Sequence, residues 1–288
     1  MLSYQIVIDL HTHSTASDGC YSPSELVQLA YEKNLKVLAL TDHDTVSGID
    51  EAKAKAKEVG IEFVSGVELN IEWPTGEFHL LGLGLKEISP SLSELIKNQQ
   101  ENRENRNKII VQKMNEIGVD VTIEQLYEHF ETKNLGRPHL AQYLVEKKVV
   151  KNRQKAFDIY LAKGRPLYEK KSGCNLDQAI IAIKESGGIP VLAHPMSLYI
   201  SWGKLEDVLI NLHERGIEGL EAYHPGVRLG EAKRLEELAL KLGFFVTAGS
   251  DFHGEKVRKD RRLGHTAGDI KIEDKYYFEQ LLPNLLAQ

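Results

Sequence analysis

Two histidines stand two positions apart near the start of the chain, in the stretch from Ile8 to Asp18 that reads IDLHTHSTASD. An apolar run at positions 6 to 8 leads into them and predicts a β-strand, beyond which His11 and His13 would point the same way. This is a spacing that metal ligands use, although isolated surface histidines are the alternative. Because zinc-type sites take three or four protein ligands, the rest of the chain must supply partners.

Candidate partners stand at or just past the ends of other apolar stretches that predict strands. The pattern of strand followed by ligand-type residue recurs at four places: His43 after 36–40, Glu68 after 61–67, His194 after 189–193, and Asp251 with His253 after 244–248. His79 lies within a further predicted strand, 78–85. A further strand, 217–222, ends before His224. Asp18 follows the first strand closely.

These strands alternate with helical patterns, which predicts an α/β fold. A series of seven strands and intervening helices favours a parallel, TIM-like (β/α) barrel, in which active sites assemble at the carboxyl ends of the strands. Six of the 11 histidines follow those ends. From about Pro90 to Ser172 the pattern is helical without a strand, so we expect residues 90–172 to be a helical insertion covering the active site and residues 1–89 and 173–288 to form the barrel. The alternative is that the extra helices belong to the main core.

Composition limits the possible classes of protein. The chain has 288 residues and a formal net charge of -6, which argues against a surface that coats nucleic acid generally. Two cysteines, Cys20 and Cys174, are too few for a disulfide framework and predict free thiols in a reducing cytoplasm. No apolar run approaches the roughly 18 residues of a membrane helix, and no export signal is evident, so we expect a cytoplasmic protein without a membrane partner.

The candidate ligands exceed what one ion can use. They are His11, His13, Asp18, His43, Glu68, His79, His194, Asp251 and His253. Two or three divalent ions would use them all, with Glu68 as a bridging carboxylate, and the mixture of imidazole and carboxylate suits manganese, iron or zinc without ranking them. Clustered metals generate a hydroxide nucleophile and clamp phosphate oxygens, which predicts phosphoester hydrolysis. We expect Glu68, Asp251 and His194 to be essential for catalysis.

The motifs IDLHTHSTASDG, LTDHDT, HLLGLGL, LAHP and GSDFHG, together with Glu68, resemble in order those of the PHP (polymerase and histidinol phosphatase) family of metal-dependent phosphoesterases. The resemblance implies a distorted seven-stranded barrel with a trinuclear site. It implies that one metal is held by His11, His13, Glu68 and Asp251, a second by Asp18, His43 and His253, and a third by the shared Glu68 with His79 and His194.

The expected insertion is similar to that of a subgroup containing nucleoside 3′,5′-bisphosphate phosphatases and a 5′-to-3′ exoribonuclease. The similar stretches are GRPH at 136–139 and KGRPLY at 163–168. Guanidinium groups bind phosphate oxygens through paired hydrogen bonds, so a second phosphate could be held by Arg137, His139, Lys163 and Arg165. These arginines could instead cap helices or pair with glutamates. His224 is expected to touch substrate or to support the ligands, and the basic run 256–262 is expected to be mainly a solvated loop.

The sequence therefore predicts a phosphoric ester hydrolase whose partner is a small phosphorylated nucleotide or a short RNA 5′ end. The first choice is removal of the 3′-phosphate of nucleoside 3′,5′-bisphosphates by attack of metal-bound hydroxide. Alternatives are a 5′-to-3′ exoribonuclease on short 5′-phosphorylated RNA, a histidinol phosphatase, a metal-dependent amidohydrolase, whose usual bridging lysine is missing here, and a non-catalytic metal-binding module. The oligomeric state is left open.

Overall fold

The computed structural model describes residues 7–130, 135–170 and 172–288. Ile6, which the sequence places in the first strand, lies outside these residues. The described chain contains a seven-stranded sheet, and the strands lie side by side in the order in which they occur along the chain. They are β1 (Val7–Asp9), β2 (Leu35–Leu40), β3 (Glu62–Ile71), β4 (Phe78–Leu83), β5 (Ile189–Leu192), β6 (Gly219–Tyr223) and β7 (Phe245–Ala248).

The sheet is mainly parallel, and β4 is the exception. The pairs β1–β2, β2–β3, β5–β6 and β6–β7 are parallel, whereas β4 runs antiparallel to both β3 and β5. The expectation of parallel strands throughout is therefore wrong at β4. The physical reason is the short turn at 72–77, because a parallel neighbour needs a crossover of a dozen or more residues. One consequence is that His79, near the start of β4, lies at the edge where β3 ends, opposite Asn70.

Ten α-helices accompany the sheet in the described residues. They are α1 (Pro23–Glu32), α2 (Ile49–Val59), α3 (Pro90–Glu116), α4 (Ile123–Phe130), α5 (Arg137–Glu146), α6 (Arg153–Ala156), α7 (Leu176–Glu185), α8 (Trp202–Glu214), α9 (Leu229–Lys241) and α10 (Leu282–Leu286). Local signals explain the boundaries. Ser22 and Glu25 form a capping box at α1, and Gly60 ends α2 with a positive φ of 76°.

Three apolar clusters hold these elements together. The largest packs the strands against α7, α8 and α9, and a second packs α1 and α2 against β1 and β2. A third cluster lies between positions 110 and 167 and is built by α3, α4, α5 and the segment that follows α6. The second half of α3, with α4, α5 and α6, thus buries its apolar side chains mostly within this third cluster.

Helix α3 connects this third cluster to the sheet. It has 27 residues, and its hydrogen bonds to the strand ends lie on the order of ten residues, or roughly 15 Å, from its start. Nε2 of Gln99 donates to the carbonyl oxygen of Asn70, in β3, at 2.9 Å. Nε2 of Gln100 donates to the carbonyl oxygen of Asp44, in the loop after β2, at 3.1 Å. Arg103 forms an ion pair with the Asp44 carboxylate. The middle of α3 is therefore fixed to the strand ends that carry the candidate ligands.

The ends of the first and last strands also meet. The amide of Leu10 donates to Ala248 at 3.3 Å, that of Asp251 to His11 at 2.9 Å and that of His13 to Phe252 at 2.9 Å. Cys20 and Cys174 are both free thiols, as expected. Within the part of the chain that the structure covers, no helix combines the length and the apolar character needed to cross a bilayer.

Candidate metal centre

All nine candidate ligands meet at one edge of the sheet. The segments that follow β1, β2, β5 and β7 deliver seven of them, while Glu68 lies within β3 and His79 within β4. The antiparallel direction of β4 is what brings His79 to the same edge. Residues as distant in sequence as His13 and Asp251 lie within 3.3 Å of each other here. This convergence is what the barrel expectation required.

Glu68 lies at the centre of the cluster, and its side chain is fully buried. Oε1 faces two imidazoles, at 2.7 Å from Nδ1 of His79 and 3.1 Å from Nε2 of His194. Oε2 faces three: Nδ1 of His43 at 2.9 Å, Nε2 of His13 at 3.3 Å and Nε2 of His11 at 3.4 Å. A carboxylate whose two oxygens point at separate groups of imidazoles can bridge two cations.

The remaining carboxylates complete the two flanks of the cluster. Oδ1 of Asp251 lies 3.3 Å from Nε2 of His13 and 3.8 Å from Nε2 of His11. On the other flank, Oδ1 of Asp18 lies 3.2 Å from Nε2 of His253. The ligand atoms form four overlapping groups, each within 4.8 Å: His13, Asp18, His43 and His253; His11, His13 and Asp251; His11, Glu68 and His194; and His43, Glu68 and His79.

Several of the buried ligand atoms have no hydrogen-bond partner in the described residues, which tests whether a metal fits. They are Nε2 of His11, both ring nitrogens of His13, Nδ1 of His43 and Oε2 of Glu68. Buried polar atoms are rarely left unsatisfied. Ligands at about 2.0 to 2.2 Å from one tetrahedral cation lie roughly 3.3 to 3.6 Å apart, close to the separations found here. The donor set, imidazole and carboxylate, therefore fits divalent metals.

The electrostatic environment keeps Glu68, Asp251 and His13 in metal-binding forms, whereas neighbouring carboxylates outweigh burial and raise the pKa of His11, His194 and His253. Burial alone would raise the pKa of Glu68, but the imidazoles of His43, His79 and His11 outweigh it and hold the pKa well below its usual range. The Asp251 carboxyl is likewise held well below its usual pKa, because the nearby imidazoles of His253, His13 and His224 outweigh burial. Burial, with His253 and His43, lowers the pKa of His13 to about 3. Ionised carboxylates and neutral imidazoles are the forms that bind metals.

Three residues at the cluster have positive φ although none is glycine. The φ values are 49° for Asp44, 27° for His194 and 51° for Asp251. This region of backbone space is unfavourable for side-chain-bearing residues, and such residues concentrate at functional sites. The surrounding structure holds them there, for example through the amide of His194, which donates to Glu221 at 2.9 Å.

Glu221 and Asp42 are among the buried carboxylates that the sequence interpretation missed. Glu221 accepts from Nδ1 of His11 at 2.9 Å. Asp42 accepts from the amide of Ser14 at 2.8 Å and from the hydroxyls of Ser14 and Ser17 at 2.6 Å each, and so holds the loop between His13 and Asp18. A charged residue inside an apolar strand was the available signal for Glu221.

A cavity of about 890 Å³ opens at the cluster, and its lining includes six candidate ligands and six arginines. The lining arginines are Arg103, Arg106, Arg137, Arg153, Arg258 and Arg261. We call Arg103, Arg106 and Arg137 the distal arginine group, because they lie on α3 and at the start of α5. Burial, together with the charges of Arg103 and Arg137, lowers the pKa of Arg106 to about 9. Mutual repulsion of this kind favours a bound anion.

The predicted substrate contacts divide into two sets. Arg137 and His224 line the cavity. Lys163 and Arg165 are exposed in the turn after α6 and are not among the lining residues. His139 also stands apart from the lining, and its Nδ1 accepts from the amide of Gly136 at 2.9 Å. The structure thus brings two of the five predicted contacts to the cavity and supplies Arg103 and Arg106 in addition.

Comparisons with known proteins agree with this geometry. Residues 9–166 match the PHP domain model. The chain is 36% identical to a 5′-3′ exoribonuclease of Haemophilus influenzae over 85% of this chain and 89% of that protein. It is 31% identical to a 3′,5′-nucleoside bisphosphate phosphatase of Chromobacterium violaceum over 90% and 91%. Its fold is similar to that of a protein assigned as a metal-dependent phosphoesterase from Bifidobacterium adolescentis, with a TM-score of 0.83, 28% identity, and coverage of 96% of this chain and 95% of that one.

Proposed function

The chain belongs to the PHP domain family of metal-dependent phosphoesterases, and from that premise we propose that it removes the 3′-phosphate of nucleoside 3′,5′-bisphosphates. It is a phosphoric ester hydrolase, like the relatives it matches. The observation that carries the choice of substrate is the composition of the cavity. Its lining combines six of the nine candidate ligands with the distal arginine group.

Two or three divalent ions, manganese, iron or zinc, would be held by the nine ligands. We place one on His11, His13, Glu68 and Asp251, a second on Asp18, His43 and His253, and a third on Glu68, His79 and His194. When bound, such ions would supply an activated water and neutralise negative charge on phosphate oxygens. Glu68 would bind more than one ion, while Asp251 and His194 would each bind one of the ions beside it.

The distal arginine group would bind the phosphate that is not cleaved. Arg137 occupies the first turn of α5, whose cap, Gly136, offers no side-chain acceptor, so the helix N-terminus adds its own attraction for an anion. Arg137 and Arg103 each have one carboxylate neighbour, Glu77 at 3.4 Å and Asp44 respectively. A substrate with one phosphate, such as histidinol phosphate, would leave this group without an anion, which is why that alternative ranks lower.

Tyr199 supports a nucleoside substrate in particular. Its side chain lines the mouth of the cavity and is 79% exposed, with a positive φ of 53°. The backbone of its loop is fixed from the opposite turn, since the amide of Gly76 donates to Leu198 at 3.2 Å and the hydroxyl of Thr75 donates to the same oxygen at 2.6 Å. An exposed aromatic ring on an anchored loop offers a surface on which a base of any identity can stack.

The second candidate is 5′-to-3′ exoribonuclease action on short 5′-phosphorylated RNA. It is favoured by the similarity to the Haemophilus influenzae exoribonuclease. The same arginines would hold the 5′-phosphate while the metal cluster acts on the next phosphodiester. The chemistry is shared, and only the length of the substrate differs.

The proposal includes a finer description of the fold. We expect the sheet to close into a distorted barrel through the hydrogen bonds that join the segments after β1 and β7, with the parallel bridge between Thr12 and Phe252 as support. Residues 1–89 and 173–288 would form this barrel. Residues 90–172, whose helices have their own apolar cluster, would be an insertion domain that covers the cavity.

A side-by-side assay on metal-reconstituted protein tests the function. The substrates are adenosine 3′,5′-bisphosphate, a 5′-phosphorylated oligoribonucleotide and histidinol phosphate, with bound metals quantified. The proposal expects the highest kcat/KM for the bisphosphate, and a preference for the oligoribonucleotide would favour the second candidate. Absence of turnover on every phosphoester would instead favour a non-catalytic metal-binding module.

A further inference from the structure

Asp251 exposes its two carboxylate oxygens to different environments. Oδ1 faces the imidazoles of His13 and His11 in the metal cluster. Oδ2 faces the cavity side, at 3.3 Å from Nε2 of His224, 3.6 Å from Nη1 of Arg258 and 3.8 Å from Nε of Arg261. Two guanidinium groups therefore lie within 4 Å of a carboxylate that belongs to the cluster itself.

Arg261 is the unusual member of this pair. Its side chain is only 7% exposed although it lines the cavity. Its Nε has no hydrogen-bond partner among the described residues, and besides Asp251 its anionic neighbours include the exposed Asp260, at 3.4 Å from Nη1. A buried guanidinium with an unsatisfied donor is unfavourable, and an anion in the cavity would satisfy it.

The backbone fixes the pair relative to the ligands. The amide of Arg258 donates to the carbonyl of Gly254 at 2.9 Å, and the amide of Arg261 donates to that of Arg258 at 3.3 Å. Gly254 directly follows the ligand His253 and has a positive φ of 92°. A Cβ there would lie 2.0 Å from Sγ of Cys20, so this close approach requires glycine. The loop is thus anchored where the metal ligands end.

We propose that Arg258 and Arg261, the β7-loop arginine pair, form an anion subsite that holds oxygens of the scissile phosphate beside the metal cluster. Both lie within 4 Å of Asp251, whereas the distal arginine group lies on α3 and α5. Guanidinium groups aimed at the transferred phosphate stabilise the charge on its oxygens during displacement. The inference rests on the proposed function only in that the substrate is a phosphoester. It requires no second phosphate.

The test compares Arg261→Met with Arg261→Lys and with the matched control Arg262→Met. Arg262 is 60% exposed and pairs with Asp269 at 2.7 Å, away from the cavity. The substrates are adenosine 3′-monophosphate and adenosine 3′,5′-bisphosphate, and inorganic phosphate serves as a competitive inhibitor. We expect Arg261→Met to lower kcat/KM by about 10- to 100-fold on both substrates and to weaken phosphate inhibition by a similar factor. Arg261→Lys should retain part of the activity, and Arg262→Met should match the parent protein.

Three outcomes would overturn the proposal. One is an effect of Arg261→Met confined to the bisphosphate, which would assign Arg261 to the second phosphate. Another is unchanged inhibition by phosphate. The third is a loss of bound metal, which would mean that Arg261 acts only by supporting Asp251. If Arg261→Met does not fold, Arg258→Met, at a more exposed position, provides the same comparison.

The proposed function can fail without deciding this inference. If the parent protein cleaves neither nucleotide, the same variants are measured on whichever phosphoester it does cleave, or by calorimetric binding of inorganic phosphate to the metal-loaded protein. Weaker phosphate binding in Arg261→Met and unchanged binding in Arg262→Met would support the subsite. Equal binding in both would refute it.

Discussion

Oε1 of Glu221 accepts a hydrogen bond from Nδ1 of His11 at 2.9 Å, and both side chains are buried. Because a carboxylate can only accept, this contact places the proton of His11 on Nδ1 and directs Nε2 at the cluster. The other oxygen of Glu221 accepts from the amide of His194. One carboxylate therefore orients two of the nine ligands, a role that partners of metal-bound histidines commonly have.

Glu221→Gln should weaken metal binding without unfolding the protein. Glutamine has one acceptor oxygen, so either Nδ1 of His11 or the amide of His194 loses its partner. We expect metal affinity to fall by about 10- to 100-fold, the usual cost of removing such a partner, and turnover to recover in excess metal. Metal titration monitored by activity measures the effect. Glu218→Gln, on the same segment but paired at the surface with Lys184, is the control. Equal affinity in both variants would contradict the assigned role.

Glu68→Gln should abolish turnover and lower metal content. The amide group keeps the size of the side chain but replaces one oxygen with a donor that cannot bind a cation, in a position that faces several imidazoles. Elemental analysis and initial rates on a phosphoester measure both effects. Glu72→Gln, whose side chain is exposed just beyond the same strand, should behave like the parent protein. Near-normal turnover of Glu68→Gln would remove this residue from the mechanism.

Much of the site was predictable because its ligands follow strands in a simple order. His11, His13, His43, His194 and His253 each stand a few residues past an apolar run, and the edge at which such residues meet is set by the direction of the strands. The antiparallel direction of β4 was not predicted, although the turn at 72–77 before it is too short for the crossover that a parallel neighbour needs. The alternation of strands and helices elsewhere concealed that local exception.

The supporting residues were harder to infer. Glu221 orients His11, which lies 210 positions away, and the local sequence around Glu221 does not indicate that partner. Arg103 and Arg106 lie in a helix rich in Asn, Arg and Glu, where the pattern does not reveal which face meets the cavity. The prediction that Lys163 and Arg165 contact substrate rests on the similarity of 163–168 to the insertion of the subgroup named above, whereas the fold leaves both side chains exposed. Long-range packing decides such positions.

Removal of metal should abolish activity and lower the unfolding temperature. The ligand cluster contains several buried groups that have no hydrogen-bond partner among the described residues and that a cation would satisfy. A cation that binds the folded state alone stabilises it by about 2.7 kcal/mol when present at 100 times its dissociation constant. Chelation followed by calorimetry and readdition of manganese, iron or zinc tests this and ranks the metals. An unfolding temperature and a rate that do not respond to chelation would contradict the metal assignment.

Tyr199→Ala should weaken the use of nucleoside substrates more than that of baseless ones. Loss of base stacking costs about 1 to 3 kcal/mol, which corresponds to roughly a 5- to 150-fold drop in kcat/KM. The measurement compares adenosine 3′,5′-bisphosphate with an abasic sugar bisphosphate of the same geometry. Tyr31→Ala, another exposed aromatic residue, on α1, is the control. An equal drop on both substrates would mean that the ring supports the loop and does not contact a base.

Arg137→Met should separate substrates with two phosphates from those with one. The guanidinium of Arg137 is 19% exposed and lines the cavity at the start of α5, where a phosphate would gain charged hydrogen bonds. Losing them costs about 1.5 to 3 kcal/mol, so we expect kcat/KM for adenosine 3′,5′-bisphosphate to fall by roughly 10- to 150-fold. The value for adenosine 3′-monophosphate should change little, because that substrate has no second phosphate for the distal arginine group to bind. Arg165→Met, measured in parallel, shows whether the second phosphate binds at Arg137 or at the exposed turn at 163–166. A selective loss in Arg165→Met with normal kinetics in Arg137→Met would relocate the binding of the second phosphate to that turn.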